Sequence, residues 1–344
     1  MSECGFLHLY RASAAAIVAL AAILAFAALA VSSAPGSGAD PSGACGDGLT
    51  WELSGDGSLT ISGAGLMYDY DEWENPAPWG TGVESVVVSE GATSIGDRAF
   101  YGCSSLTSVR IPDSVASIGA GAFEDCTSLS LVNPMYLFYL KCIGDRAFYG
   151  CSSLYYVDTS SVEAVGDYAF YGCSSLRSVS MGEAAAVGDY AFYGCSSLRS
   201  VDILQARSVG DYAFYGCSSL RSVDMPFVAS IGERAFSGCP SLESFYVDPC
   251  NEAYSSSDGV LFDKGKRVLV AYPAGRLDFY SSPIDVTPAS EYRVPDSVTR
   301  IGDYAFQGCT SLLSVDMPSV EAVGNGAFQG CTSLFSVDMP SMKS

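Results

Sequence analysis

Cysteine and histidine are the residues here whose types and spacing could do chemistry. The chain of 344 residues holds 13 cysteines and one histidine, His8. His8 lies in an N-terminal segment that we expect to be removed on export, so the mature chain would contain no histidine. That absence excludes Ser-His-Asp and Cys-His catalysis and every histidine-ligated metal site. The sequence therefore predicts that the protein is not an enzyme.

Nine of the cysteines recur at one position of a repeated segment, mostly 22 or 23 residues apart. No C-x-x-C pair occurs, so a zinc ribbon is not predicted. At a buried repeat position a free cysteine behaves as a small apolar residue. We expect free thiols in the mature chain, although its twelve cysteines also permit disulfides. The nine are Cys103, Cys126, Cys151, Cys173, Cys195, Cys217, Cys239, Cys309 and Cys331.

One acidic cluster, Asp69, Asp71, Glu72 and Glu74, could offer carboxylates to calcium. It lacks the spacing and the glycine of an EF-hand loop. Trp73 and Trp79 lie beside it and indicate packing onto the first repeat instead. We therefore predict no metal and no cofactor.

The overall charge limits the kinds of partner. The chain carries 17 Lys and Arg against 38 Asp and Glu, a formal net charge of −21. A chain this acidic is repelled by phosphate backbones, which argues against nucleic-acid binding. Charged residues are only 16% of the chain and hydrophobic residues 49%, which is enough for a sizeable core.

The N-terminus has the pattern of an export signal. Arg11 precedes an apolar run over residues 14–31 that contains an A-x-A pattern at residues 28–30. These features predict a signal peptide over residues 1–30 and a linker over 31–43. The alternative is an uncleaved membrane anchor, since about 18 apolar residues nearly span a bilayer. Either interpretation places the remaining chain outside the cell or on its surface.

The repeat itself predicts a solenoid. Leu106, Val109 and Ile111 form an L-x-x-V-x-I strand pattern, Pro112 ends the pairing, and Gly119 makes a bend. We expect the following stretch, such as DYAFYG, to be a short helical turn on the outer side. The leading strand positions are Val83, Leu106, Leu129, Leu154, Leu176, Leu198, Leu220, Leu242, Ala289, Leu312 and Leu334. Stacked about 4.8 Å apart, eleven parallel strands would form one elongated domain.

These repeats closely resemble the BspA-like leucine-rich repeat family, in segments such as IGDRAFYGCSSL from Ile95 and VGDYAFYGCSSL from Val165. The resemblance implies an α/β solenoid over residues 83–344. It also implies a small N-terminal β cap over 44–82 and an inserted hairpin at about 248–288. It further implies a secreted or cell-surface protein that binds host or neighbouring-cell proteins.

Charged residues recur at exposed strand positions and form the candidate binding surface. A polar face could recognise a protein ligand, or Arg and Asp on adjacent strands could simply pair with each other. Tyrosines also recur around the repeat phenylalanine, as in Tyr168 and Tyr171, where they could bind a partner or be carried along by duplication. The charged candidates are Asp158, Arg177, Arg199, Asp202, Arg221, Asp224, Asp316 and Asp338.

Two functions therefore remain open. The first is adhesion to extracellular or host proteins through the repeat surface. The second is a self-associating structural component of the cell envelope, because the last coil, over residues 334–344, leaves strand edges open. A membrane is expected as a partner only if the N-terminal segment is retained.

Overall fold

The computed structural model describes residues 41–132, 139–278 and 287–341, which form a solenoid of parallel strand ladders. The predicted signal peptide lies outside the described residues. The first ladder runs along one face, with one strand per coil. Its strands are β4 (Ser85–Val88), β6 (Ser108–Arg110), β8 (Leu131–Val132), β10 (Tyr156–Val157), β12 (Ser178–Ser180), β14 (Ser200–Asp202), β16 (Ser222–Asp224), β18 (Ser244–Tyr246), β24 (Glu291–Arg293), β26 (Ser314–Asp316) and β28 (Ser336–Asp338).

This ladder confirms the predicted solenoid, because each expected position carries a strand that begins two residues after the leading apolar residue. The register repeats the sequence, with Val179 opposite Val201 and Val201 opposite Val223. All three valines are buried. Because side chains alternate along a strand, the flanking residues point away from the core.

A second, shorter ladder follows the proline turn, where the sequence pattern indicates only an apolar pair and a bend. Each of its strands has two residues, and Val187 pairs in register with Val165 and Val209. The strands are β5 (Ser94–Ile95), β7 (Ser117–Ile118), β9 (Cys142–Ile143), β11 (Ala164–Val165), β13 (Ala186–Val187), β15 (Ser208–Val209), β17 (Ser230–Ile231), β25 (Arg300–Ile301) and β27 (Ala322–Val323).

The bend after this ladder brings neighbouring coils very close together. A Cβ on Gly188 would lie 2.6 Å from the carbonyl carbon of Gly166, so only glycine fits there. The residue after this glycine is hydrogen-bonded to the preceding coil. The backbone N–H of Asp189 donates to Asp167 Oδ1 at 2.8 Å. The same bond recurs where Asp189 accepts the N–H of Asp211 at 2.8 Å.

The outer segment was predicted to be a helical turn, and that prediction is wrong. No residue in the described ranges is helical. Tyr168 has a φ of 58°, in the left-handed region, and its N–H donates to Asp189 O of the next coil at 2.8 Å. A helix would need negative φ and an acceptor four residues earlier. Instead, Tyr171 N–H reaches only to Tyr168 O, an isolated turn.

The core is a stack of aromatic rings, one per coil. Phe148, Phe170 and Phe192 are fully buried, with successive ring centroids 5.2 and 5.1 Å apart and nearly parallel planes. Trp79 begins the stack, 5.5 Å from Phe100, and its indole N–H donates to Ala99 O at 2.9 Å. One coil cannot cover its own ring, so each coil depends on its neighbours.

Two segments depart from the repeat. The cap strands β1 (Ser42–Ala44), β2 (Leu49–Leu53) and β3 (Ser58–Gly63) are antiparallel to one another, and β3 then pairs in parallel with β4. Between β18 and β24 lies an insertion whose central strand pairs with β25. Its strands are β19 (Tyr254–Ser257), β20 (Val260–Asp263), β21 (Val268–Ala271), β22 (Leu277–Asp278) and β23 (Thr287–Pro288).

The ring stack generates a stability prediction. Phe192→Ala, in the middle of the stack, should destabilise the protein by about 3–5 kcal/mol because it leaves a cavity between two rings. Phe236→Ala, at a ring with no stacked partner in the following coil, should cost less. Urea unfolding followed by circular dichroism measures both. Equal losses would contradict the dependence on two stacked neighbours.

Candidate functional site

Three predicted site residues form a row of like charge, which we call the arginine row. Arg177, Arg199 and Arg221 occupy the same position in successive coils and are exposed. The backbone fixes them in line, since Arg199 N–H donates to Arg177 O at 2.9 Å. Arg221 pairs with Glu243 at 3.0 Å. Arg177 and Arg199 form no ion pair within residues 41–132, 139–278 and 287–341.

The predicted aspartates also lie beside one another, and Asp316 in addition lies opposite Arg293. Asp202 stands in register with Asp224, and Asp316 with Asp338. Placing like charges directly opposite each other on neighbouring strands is destabilising. The alternative interpretation, in which opposite charges on adjacent coils neutralise each other, holds for Arg293 with Asp316 and for Arg221 with Glu243, but not for Arg177 and Arg199.

Asp158 does not belong to this exposed surface. Its exposed fraction is only 5%, and its Oδ1 accepts the backbone N–H of Ser160 at 3.0 Å. Its expected exposure is therefore wrong. The strand before it, β10, has only two residues, whereas the strand that contains Asp202, β14, has three. The sequence pattern alone places Asp158 and Asp202 at equivalent positions.

The aspartate register makes a testable prediction for stability. Burial raises the pKa of Asp202 above its usual value, and Asp224 adds to this, while the Leu204 N–H opposes it. Because the folded-state pKa exceeds the unfolded one, stability falls as the pH rises through the interval between them. Asp202→Asn should therefore stabilise the protein at pH 7, by less than about 1 kcal/mol for a half-buried carboxylate.

Thermal unfolding between pH 3 and pH 7 measures this effect. The advantage of Asp202→Asn should shrink toward pH 3, where the wild-type carboxyl is protonated in both states. The matched control is Asp113→Asn, an exposed loop position, which should show no such trend. A stabilisation that is equal at both pH values would contradict the argument.

The repeated tyrosines form two ladders on the outer face. Tyr149, Tyr171, Tyr193 and Tyr215 stack with ring centroids 4.7, 4.8 and 5.0 Å apart. A parallel ladder of Tyr168, Tyr190 and Tyr212 has spacings of 4.8 Å. Arg146 lies over the Tyr149 ring at 4.2 Å, and a shallow groove of about 500 Å³ runs between the ladders. The ring faces of these tyrosines stack against one another, so the surface presents the ring edges and hydroxyl groups to solvent.

The repeat cysteines are structural. Each thiol from Cys126 to Cys239 donates to the carbonyl of the preceding coil's phenylalanine; the Cys195 Sγ to Phe170 O distance is 3.2 Å. Eleven described cysteines are free, including all nine of the repeat. Cys250 of the insertion is not among the free cysteines.

Burial also suppresses the reactivity of these thiols. It raises the pKa of Cys103 and Cys239 to about 12. Since the thiolate is the reactive form, iodoacetamide at pH 8 should modify exposed Cys142 in the folded protein at least about 100-fold faster than either. Mass spectrometry of alkylated peptides gives the rates, with urea-unfolded protein as the control. Similar rates in the folded protein would contradict the described burial.

The acidic cluster is used by the fold itself. Asp71 Oδ1 accepts the backbone N–H groups of Trp73, Glu74 and Asn75 at 2.6–2.9 Å. Glu72 pairs with Arg98 at 3.3 Å. Trp79 packs in the core as expected, but Trp73 is 85% exposed, so its predicted packing is wrong. Among the described residues, no group of acidic, cysteine or histidine side chains could hold a metal ion.

Comparison with known proteins gives two kinds of match. The model of the BspA type leucine rich repeat region matches six copies over residues 79–183, 141–257 and 285–344. A solved leucine-rich cell-surface protein from Faecalibacterium prausnitzii is 26% identical. That match covers 90% of this chain and 78% of that one, with a TM-score of 0.59.

The pneumococcal vaccine antigen PcpA shares the fold at 18% identity, over 89% of this chain and 72% of that one, with a TM-score of 0.54. The comparison with curated proteins gives no match. No helix in the described part of the chain is long and apolar enough to cross a membrane.

Proposed function

The chain belongs to the BspA-type leucine-rich repeat family, and we propose that it is a secreted or cell-surface module that binds extracellular or host proteins. The arginine row is the contact surface in this proposal. Export is supported by the apolar segment over residues 14–31 and its A-x-A pattern. The solved Faecalibacterium relative, described as a cell-surface protein, supports the same location.

The observation that carries the proposal is a row of positive charges on the surface of a strongly acidic chain. Three exposed guanidinium groups stand in line on a chain whose net charge is −21, and two of them have no described counter-ion. Like charges in register weaken the solenoid. A partner with a line of carboxylates would remove that repulsion and form charge-assisted hydrogen bonds.

The partner chemistry follows from the row. Guanidinium groups recognise carboxylates through two parallel hydrogen bonds, so a protein segment with several carboxylates complements three arginines one coil apart. Each exposed pair contributes about 0.2–1 kcal/mol, so binding requires several coils at once. The neighbouring carboxylates of Asp202 and Asp224 favour basic residues beside the acidic segment.

Assembly of the chain with itself is the less favoured function. A net charge of −21 makes copies repel one another in solution, which keeps an acidic protein monomeric. Light scattering of the purified protein distinguishes the two functions. A stable assembly at physiological salt would favour the structural component.

The proposal predicts that the arginine row governs binding to extracellular-matrix proteins and host cells. Replacing Arg177, Arg199 and Arg221 together with serine should weaken binding of the purified protein at least about fivefold. The loss should be larger at low salt, because exposed charges are screened as salt rises. Binding to an immobilised matrix at several salt concentrations measures both effects.

The matched control removes three exposed arginines that lie in or directly before β15, β21 and β25, away from the arginine row, with Arg207, Arg267 and Arg300 replaced by serine. It changes the net charge equally and should leave binding within about twofold. If the control variant loses as much affinity as the row variant, binding depends only on the net charge of the protein, and the arginine row is not the contact surface. If the wild-type protein binds none of these targets, the proposed function is wrong.

A further inference from the structure

The coil stack is interrupted at the insertion. Buried hydrophobic residues divide there into two clusters, one on each side. Strand β17 pairs only with β15, while β21 pairs with β20 and β25, so the second ladder has a free edge at β17. The aromatic stack stops at the same place, because Phe236 meets Phe245 edge-on and a new stack begins with Tyr272 on Phe306.

A cavity of about 380 Å³ occupies this interruption, and we call it the coil gap. Ile231, Arg234 and Phe236 line it on one side, and Val268, Tyr272 and Tyr304 are among the residues on the other. Phe236 is 9% exposed, whereas Phe214 in the coil before is fully buried. The gap therefore leaves part of the Phe236 ring exposed, whereas the equivalent phenylalanine rings of the earlier coils are fully buried.

The backbone beside the gap presents a row of unused donors. In the preceding coil, the N–H groups of Tyr212, Phe214 and Gly216 donate to Glu233 O, Ala235 O and Ser237 O at 2.8–3.0 Å. The equivalent N–H groups of Arg234, Phe236 and Gly238 have no acceptor among the described residues. A row of backbone donors without acceptors is the feature that an added strand pairs with at a free sheet edge.

Two buried side-chain atoms at the gap also lack partners. Arg234 Nε makes no hydrogen bond, since Glu233 Oε1 lies 3.7 Å away, and Gln307 Oε1 has no donor in the described part of the chain. The Arg234 guanidinium lies on the Tyr304 ring at 3.5 Å, so it is held in place. A cavity with apolar walls and a few fixed polar groups is the usual form of a ligand site.

We propose that the coil gap binds an extended segment of a partner polypeptide, which takes the place of the missing coil. Its backbone carbonyls accept the N–H groups of Arg234, Phe236 and Gly238, as an added strand does at a free sheet edge. An aromatic side chain following a small residue inserts beside Phe236 and continues the ring stack. Glu233 and Asp303 carry exposed carboxylates at the gap. Their ion pairs with Arg234 at 3.7 Å and with Arg300 at 4.0 Å are long, so these carboxylates favour basic residues on either side of the aromatic.

The charge and the geometry of the coil gap favour a peptide with basic flanking residues over other kinds of ligand. Carbonyl oxygens are the complement of three N–H donors in a row, and a peptide backbone supplies them at regular spacing. An acidic ligand would meet Glu233 and Asp303, and so the acidic segment expected at the arginine row is not the occupant here. The coil gap is therefore a second site, separate from the arginine row.

A labelled synthetic peptide tests the proposal on the full chain. Fluorescence polarisation should detect binding of a peptide with the sequence KGAFGK. The peptide KGASGK should bind at least about tenfold more weakly, because it lacks the ring that is buried. EGAFGE should also bind more weakly than KGAFGK. Absence of KGAFGK binding, or equal binding of all three peptides, would overturn the proposal.

Hydrogen exchange locates the bound peptide. In the free protein, the amides of Arg234, Phe236 and Gly238 should exchange faster than those of Phe214 and Gly216, and KGAFGK should slow them. If the three amides are already protected without peptide, the gap is filled by this chain or a second copy, and the proposal fails. Binding that leaves them unprotected overturns it as well.

Two variants complete the test. Ala274→Phe fills the gap from the insertion side and should abolish KGAFGK binding, whereas Ala185→Phe, at an exposed position elsewhere, should not. The variant with all three row arginines replaced should still bind KGAFGK. Loss of peptide binding in that variant would place the peptide at the arginine row and contradict a separate site.

Discussion

Every coil of this protein depends on hydrogen bonds to the coil that follows it. The N–H of Tyr168 is donated to Asp189 O, and Asp167 Oδ1 receives the N–H of Asp189. The ring of Phe170 is covered by Phe148 and Phe192. Since no coil can satisfy its own polar groups or bury its own ring, stability arises between coils and not within them. Both proposed sites follow from this constraint.

The arginine row results from keeping the repeat regular, and the coil gap results from interrupting it. Where coils stack in register, an exposed residue is placed beside its own copy, so one arginine becomes three. Where the insertion breaks the register, the N–H groups of Arg234 and Phe236 lose their acceptors and a cavity opens. The same rule thus produces a charged surface and a recessed apolar site in one chain.

Sequence periodicity was sufficient to predict the first strand ladder, the buried cysteine position and the exposed arginines, because a fixed spacing of apolar residues determines which side chains face inward. It could not predict the left-handed turn at Tyr168, since tyrosine rarely adopts positive φ and only the bonds to the next coil hold it there. The burial of Asp158 was equally hidden, because the repeat pattern gives Asp158 and the half-buried Asp202 equivalent positions. The coil gap escaped sequence analysis because it is defined by contacts that are missing between segments.

The close similarity of consecutive coils has an evolutionary consequence. Residues 165–176 and 187–198 have the same sequence, so unequal recombination between their coding segments would add or remove one whole coil without altering the packing of the others. Each such event would lengthen or shorten the arginine row by one residue, and the affinity for an acidic partner would change by a constant factor. A lineage could therefore adjust the strength of the proposed binding in discrete steps by changing the number of coils, with no new point mutation.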